Sequence, residues 1–134
     1  MGTVRSNLTI STTDVLSTAV NITASKNFSA DSGVILRAKV AAVSGGGSGL
    51  TVYKADDKKI SAYLYVRNLD ADLENYLYLY NDTDSDAAVA KIGGGEFCYI
   101  PVPKDKTFKV YGTLVNQIVE YAVFGNDDPT NTLG

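Results

Sequence analysis

The sequence predicts an all-β protein: an antiparallel β-sandwich or jelly-roll-like domain that carries an extended Ser/Thr-rich N-terminal segment. Three observations predict it. Apolar and polar residues alternate with period two in runs such as residues 60–67 and 76–80, the pattern of strands with one buried face. Turn residues recur roughly every eight to twelve positions, as in sandwiches and barrels. No eleven-residue window sustains a helical period. With 134 residues, 45% of them hydrophobic, the chain is long enough to close one core. The composition divides it into an N-terminal arm or edge-strand segment (1–32), a sandwich domain (33–125) and a flexible C-terminal tail (126–134).

Residues 1–32 hold twelve serines or threonines and one aromatic residue, Phe28. Val4, Leu8 and Ile10, then Val20 and Ile22, stand among polar neighbours. That predicts short strands with a wet face, or an arm that pairs with something else. Residues 34–40 form a β-branched run in which Arg37 and Lys39 share a face. The Ser/Gly stretch 44–49 is a flexible connection; no Gly-Lys-Ser/Thr follows it, so it is no phosphate cradle. Residues 59–68 alternate with Ile60, Ala62, Leu64 and Val66 on one face and Ser61, Tyr63, Tyr65 and Arg67 on the other. Residues 75–81 repeat the pattern, with Leu77 and Leu79 opposite Tyr76, Tyr78 and Tyr80. The polar segment 69–74 between these runs predicts a turn, and the two runs a hairpin. A strand at 89–92, a glycine turn at 93–95 and a strand at 96–102 follow. Pro101 belongs at a strand end or sheet edge, because it has no N–H to donate. Strands at 107–111 and 117–124 complete the series.

Composition excludes several classes of chemistry. Histidine and tryptophan are absent and Cys98 is the single cysteine. Without histidine, the Ser and Cys triads that depend on it and the zinc sites that need it are not available. A net charge of −3 and a pI near 4.8 are the reverse of a nucleic-acid footprint. The N-terminus lacks the apolar run of a signal peptide and no segment has the length of a membrane span, so the expectation is a soluble protein made in a cytoplasm, with no membrane partner. One cysteine forms no internal disulfide.

Asp82, Asp84 and Asp86 have the spacing that opens a calcium loop, but Ala87 and Gly93 stand where such a loop needs its glycine and its bidentate acid. A solvated acidic turn is the reading adopted, and no metal or other cofactor is expected. The remaining acids, Asp56, Asp57, Asp70, Asp72, Glu74, Asp105, Asp127 and Asp128, sit mostly in turn sequence. Glu96 and Glu120 fall inside strand patterns, as solvent-facing or salt-bridged positions. Cys98, between Phe97 and Tyr99, reads as a buried, inert thiol. No catalytic set emerges. The informative residues are the tyrosines Tyr63, Tyr65, Tyr76, Tyr78 and Tyr80, expected along one face of two neighbouring strands. They are either a second buried face with wet hydroxyls or a contact surface. A carbohydrate-stacking platform is a third reading.

Several segments carry a resemblance: AYLYVRNLD over residues 62–70, YLYLYND over 76–82, AKIGGGEFCYIPV over 90–102, FKVYG over 108–112 and VEYAVF over 119–124. Together they resemble small virion structural proteins of tailed bacteriophages. In those proteins a strand ending in V-R/K-N precedes a G-E-F…P-V strand and the terminal hairpin ends in V-E-Y. The resemblance spans residues 60–124 and leaves the N-terminal third unmatched. It implies a non-enzymatic β-sandwich located on the virion, a capsid decoration (cement) or tail-associated subunit without a cofactor. Its implied partners are copies of itself, with a trimer favoured, and the major capsid or tail protein. The alternative is a tail- or fibre-associated module that binds a carbohydrate or receptor.

Overall fold

A computed structural model describes residues 2–14, 20–30, 32–40, 49–55, 59–81, 88–103, 106–113 and 116–127. Every regular element among them is a strand: β1 (Gly2–Thr12), β2 (Val20–Ala30), β3 (Ser32–Val40), β4 (Leu50–Tyr53), β5 (Lys59–Asn68), β6 (Leu77–Asn81), β7 (Ala88–Ile92), β8 (Phe97–Val102), β9 (Phe108–Gly112) and β10 (Gln117–Asp127). No helix among these residues is long and apolar enough to cross a membrane. β10 runs two residues into the segment read from the sequence as tail; residues 128–134 lie outside the described residues.

The strands form three antiparallel sheets. One has the order β3-β10-β5-β8, a second β4-β9-β6-β7, and β1 and β2 pair only with each other. The nesting of the eight later strands is regular. β6 pairs with β7, β5 with β8, β4 with β9 and β3 with β10, and successive pairs alternate between the two sheets. An antiparallel ribbon rolled up in this way is a jelly roll.

Alternation decides what each strand buries. Leu64 and Val66 of β5, Val119 and Tyr121 of β10 and Val40 of β3 point from the first sheet into the sandwich. There they meet Leu77 and Leu79 of β6, Val110 and Phe108 of β9 and Ile92 of β7. Leu64, Val66, Leu77, Leu79, Val110 and Val119 are fully buried, and each contributes on the order of 1.5–3 kcal/mol of transfer free energy. Cys98 and Ile100 of β8 are half-buried against the same core. Pro101 lies in β8, which is an edge strand, where its missing donor faces no neighbour.

The expected hairpin of residues 59–81 is not formed. β5 and β6 lie in different sheets, so the chain crosses the sandwich between them. The cause is Asn68, the last residue of β5, which is fully buried. Its amide Nδ2 donates to the carbonyls of Asn75 (2.7 Å) and Ile92 (2.9 Å), and its Oδ1 accepts from the Asp70 amide (3.0 Å). Asp70 then accepts from the Asp72 amide, and Asp72 from the Glu74 amide, each at 2.9 Å. This staircase of Asx turns redirects the chain. It packs against the turn before β8, where Gly94 leaves no room for a Cβ beside the Asp72 carbonyl and Gly95 has φ +83°. Glu96 belongs to that turn and not to a strand; its Oε1 accepts from the Gly93 amide at 2.7 Å.

Candidate functional site

The five tyrosines do not share one face. Because β5 and β6 belong to opposite sheets, Tyr63 and Tyr65 lie on the outer face of the β3-β10-β5-β8 sheet, whereas Tyr78 of β6 and the preceding Tyr76 lie on the outer side of the other sheet, and Tyr80, past a register shift after Leu79, is buried. Period-two alternation separates Tyr63, Tyr65, Tyr76 and Tyr78 from the buried leucines and valines correctly, but not Tyr80, which is fully buried. Which sheet each strand joins is a long-range property that alternation does not encode.

On the first outer face, Tyr99 of β8 joins the pair. It stands opposite Tyr65 in the ladder and stacks on Tyr63 with centroids 5.9 Å apart. Tyr65 donates to Glu120 Oε1 at 3.1 Å, and Arg37 Nε donates to Glu120 Oε2 at 2.9 Å. The guanidinium and then the phenol hold the Glu120 carboxyl below its ordinary value, while burial and the bond to Glu120 raise the Tyr65 phenol. Glu120 is thus the salt-bridged strand position expected of it. Ile35, exposed to 67%, and Phe97, exposed to 61%, lie on this face as well.

On the second outer face, Tyr78 stacks on Tyr111 with centroids 5.1 Å apart, and Lys91 Nζ sits 4.0 Å above the Tyr76 ring, a cation–π geometry. Tyr80 is fully buried, with its ring 5.1 Å from Tyr111, so it belongs to the interior and not to a contact surface. Burial, with the neighbouring Tyr78 and Tyr80 phenols, raises Tyr111. Tyr99 and Tyr111 were passed over in the sequence because each stands alone in its strand, without the doubled pattern of β5 and β6.

Cys98 is raised by burial, which keeps it a thiol. Among the described residues, no three His, Cys, Asp or Glu side chains converge on a point where a metal ion could sit. Asp82, Asp84 and Asp86 lie outside the described residues.

The remaining surface feature is the β1–β2 hairpin, which spans the outer face of the β3-β10-β5-β8 sheet. Ser6 Oγ and the Tyr99 hydroxyl share a hydrogen bond of 2.7 Å. Between hairpin and sheet lies a groove of about 1220 Å³, lined by residues that include Leu8, Ile10, Ile35, Tyr65, Phe97 and Phe124. The strand order and these two aromatic faces are what the structure offers for comparison with known proteins, among which no family model and no curated sequence matches the chain.

Proposed function

We propose that the chain is a non-enzymatic virion structural protein of a tailed bacteriophage, a capsid decoration (cement) protein that binds the assembled shell as an oligomer. The observation that carries this reading is the apolar outer surface. Leu8, Ile10, Ile35 and Phe97 are each at least 46% exposed and border a single groove, and contiguous apolar surface of that kind marks a protein partner. The jelly roll is compatible with the proposal but does not discriminate, because capsid and lectin domains both use it. The sequence resemblance adds support: its V-R-N and G-E-F segments meet in space, where the Asn68 N–H donates to the Glu96 carbonyl and the Asn68 side-chain amide donates to the Ile92 carbonyl beside the glycine turn. Repeated weak contacts on a lattice would then supply the affinity.

The test is co-sedimentation of the purified protein with assembled shells that lack it, together with mass spectrometry of purified particles. The proposal expects stoichiometric binding and presence in particles; a protein absent from particles that fails to sediment with shells overturns it.

The stacked Tyr78–Tyr111 pair, with Lys91 over Tyr76, favours one second reading: a tail- or fibre-associated module that binds host carbohydrate on the β4-β9-β6-β7 face. Titration with host polysaccharide while following tyrosine fluorescence would then give a saturable change that Tyr78→Ala abolishes.

A further inference from the structure

Two apolar surfaces of this chain face one another across a groove that neither closes. In β1 and β2 the alternation puts Val4, Ser6, Leu8 and Ile10 on one side, with Ala24 and Ile22 opposite Leu8 and Ile10 in the ladder. The other side presents Thr3, Arg5, Asn7, Thr9 and Ser11, which is wholly polar. The apolar side is the one turned toward the sheet, since Ser6 on that side bonds to Tyr99. Even so, Leu8, Ile10 and Ile22 remain 46%, 51% and 50% exposed, and the groove holds about 1220 Å³. Packed sheets interdigitate and leave few voids larger than a water molecule, and an isolated two-stranded ribbon is marginal in water. The hairpin is therefore amphipathic, aimed at a matching surface, and not seated on it.

The tether explains why. A single residue, Asp31, separates Ala30 of β2 from Ser32 of β3, an edge strand, while the Ser6–Tyr99 bond reaches the opposite edge at β8. Fixed at both margins, the hairpin bridges its own sheet. The hairpin of another copy has no such tether to this sheet. Lys26, which stands opposite Ser6 in the ladder, and the Arg37-paired Glu120 border the same groove, so its margins are polar while its walls are apolar.

We propose that the chain self-associates by hairpin exchange: the β1–β2 hairpin of one copy lays its apolar side on the outer face of the β3-β10-β5-β8 sheet of a second copy. Short connections of this kind favour exchange of an element between copies. The proposal goes beyond the shell-binding reading and is tested on the isolated protein, without particles, so each can fail alone.

The experiment uses the full chain with p-benzoylphenylalanine in place of Leu8. Sedimentation should show concentration-dependent association, and irradiation should give a covalent dimer on a denaturing gel, its cross-link mapping to β3, β8 or β10. The double variant Leu8→Asp/Ile10→Asp and the single variant Ile35→Asp should each weaken association at least tenfold, as loss of buried apolar anchors does, with the near-ultraviolet dichroism unchanged. Mixing the two variants should restore part of the association, because the mixed pair contains one hairpin-on-sheet contact with both surfaces intact. If the double variant misfolds, Ile35→Asp and the cross-link decide alone. A chain that stays monomeric at every concentration overturns the proposal. So do a cross-link confined to one chain, a cross-link mapping to the β4-β9-β6-β7 sheet, and association that appears only when shells are added.

Discussion

At the scale of single residues, Asn68 is the buried polar side chain that ties the end of β5 to the segment before β6 and to the turn before β8. Its amide satisfies two buried carbonyls and its carbonyl satisfies one amide, and burial without those partners would cost about 1–3 kcal/mol per stranded group. Asn68→Ala is expected to destabilise the protein by about 3 kcal/mol, read as a lowered urea midpoint at constant slope. Ionisation gives a second expectation. Glu120 and Asp70 have folded values held below their ordinary 4.5 and 3.8, by Arg37 and by the Asp72 amide respectively. Their stabilisation is complete above the ordinary values and is lost as pH falls through the lowered ones. Thermal melts should therefore decline below about pH 4.5, and Glu120→Gln should flatten the upper part of that decline. Tyr65 and Tyr111 act in the opposite sense. Raised above the ordinary 10.0, they favour the folded state until the pH climbs past that value.

At the scale of elements, the strands were legible in the sequence and their partnerships were not. Period-two runs in β5, β6 and β10 marked the strand positions and, among the described side chains, the facing of the buried leucines and valines, though not of Tyr80. The polar segment 69–74 and the glycine turn 93–95 fall between strands as expected, although the first does not close a hairpin. The hairpin reading of β5 and β6 failed because alternation is blind to which sheet a strand joins. Residues 69–76 lie between β5 and β6, and hairpin loops are normally two to five residues long, so the length of that connection was the available warning. What turns the chain across the sandwich is hydrogen bonding by Asn68, Asp70 and Asp72, residues that in sequence look like any polar turn. The five-tyrosine face dissolved for the same reason, and Tyr80 went to the interior. β1 and β2 were foreseen only as strands or an arm, since serine and threonine blur the apolar signal. Two substitutions probe these elements. Gly94→Ala must push a methyl against the Asp72 carbonyl and should cost at least about 2 kcal/mol, measured by chemical denaturation. Tyr78→Ala removes one ring of the pair with Tyr111 and should cost about 1 kcal/mol, leaving the near-ultraviolet signal of the core intact.

At the scale of the whole molecule, the sandwich and the hairpin are joined by little. β1 and β2 draw all their ladder bonds from each other, while the core is assembled from β3 to β10. A chain lacking residues 1–31 is expected to keep its β-sheet circular dichroism and to melt within a few degrees of the full protein. Loss of the cooperative transition in that truncation would mean that the hairpin is part of the folding unit. The nested pairing also sets a kinetic expectation. Its outermost pair, β3 with β10, joins strands from opposite ends of the sandwich sequence, and folds dominated by such pairings refold in milliseconds to seconds and not microseconds.

That outermost pair has a topological consequence. Ser32 lies directly across the ladder from Gly125, so the polypeptide enters and leaves the jelly roll at one corner of the molecule. Sequence ends that meet in this way allow a barrel to be circularly permuted: a short linker from β10 back to β3 would close the ring, and new termini could be cut in a connection that carries no buried hydrogen bonds. The segment 69–76, with its Asx staircase, and the turn 93–96 that it packs against are places where such a cut should not be made.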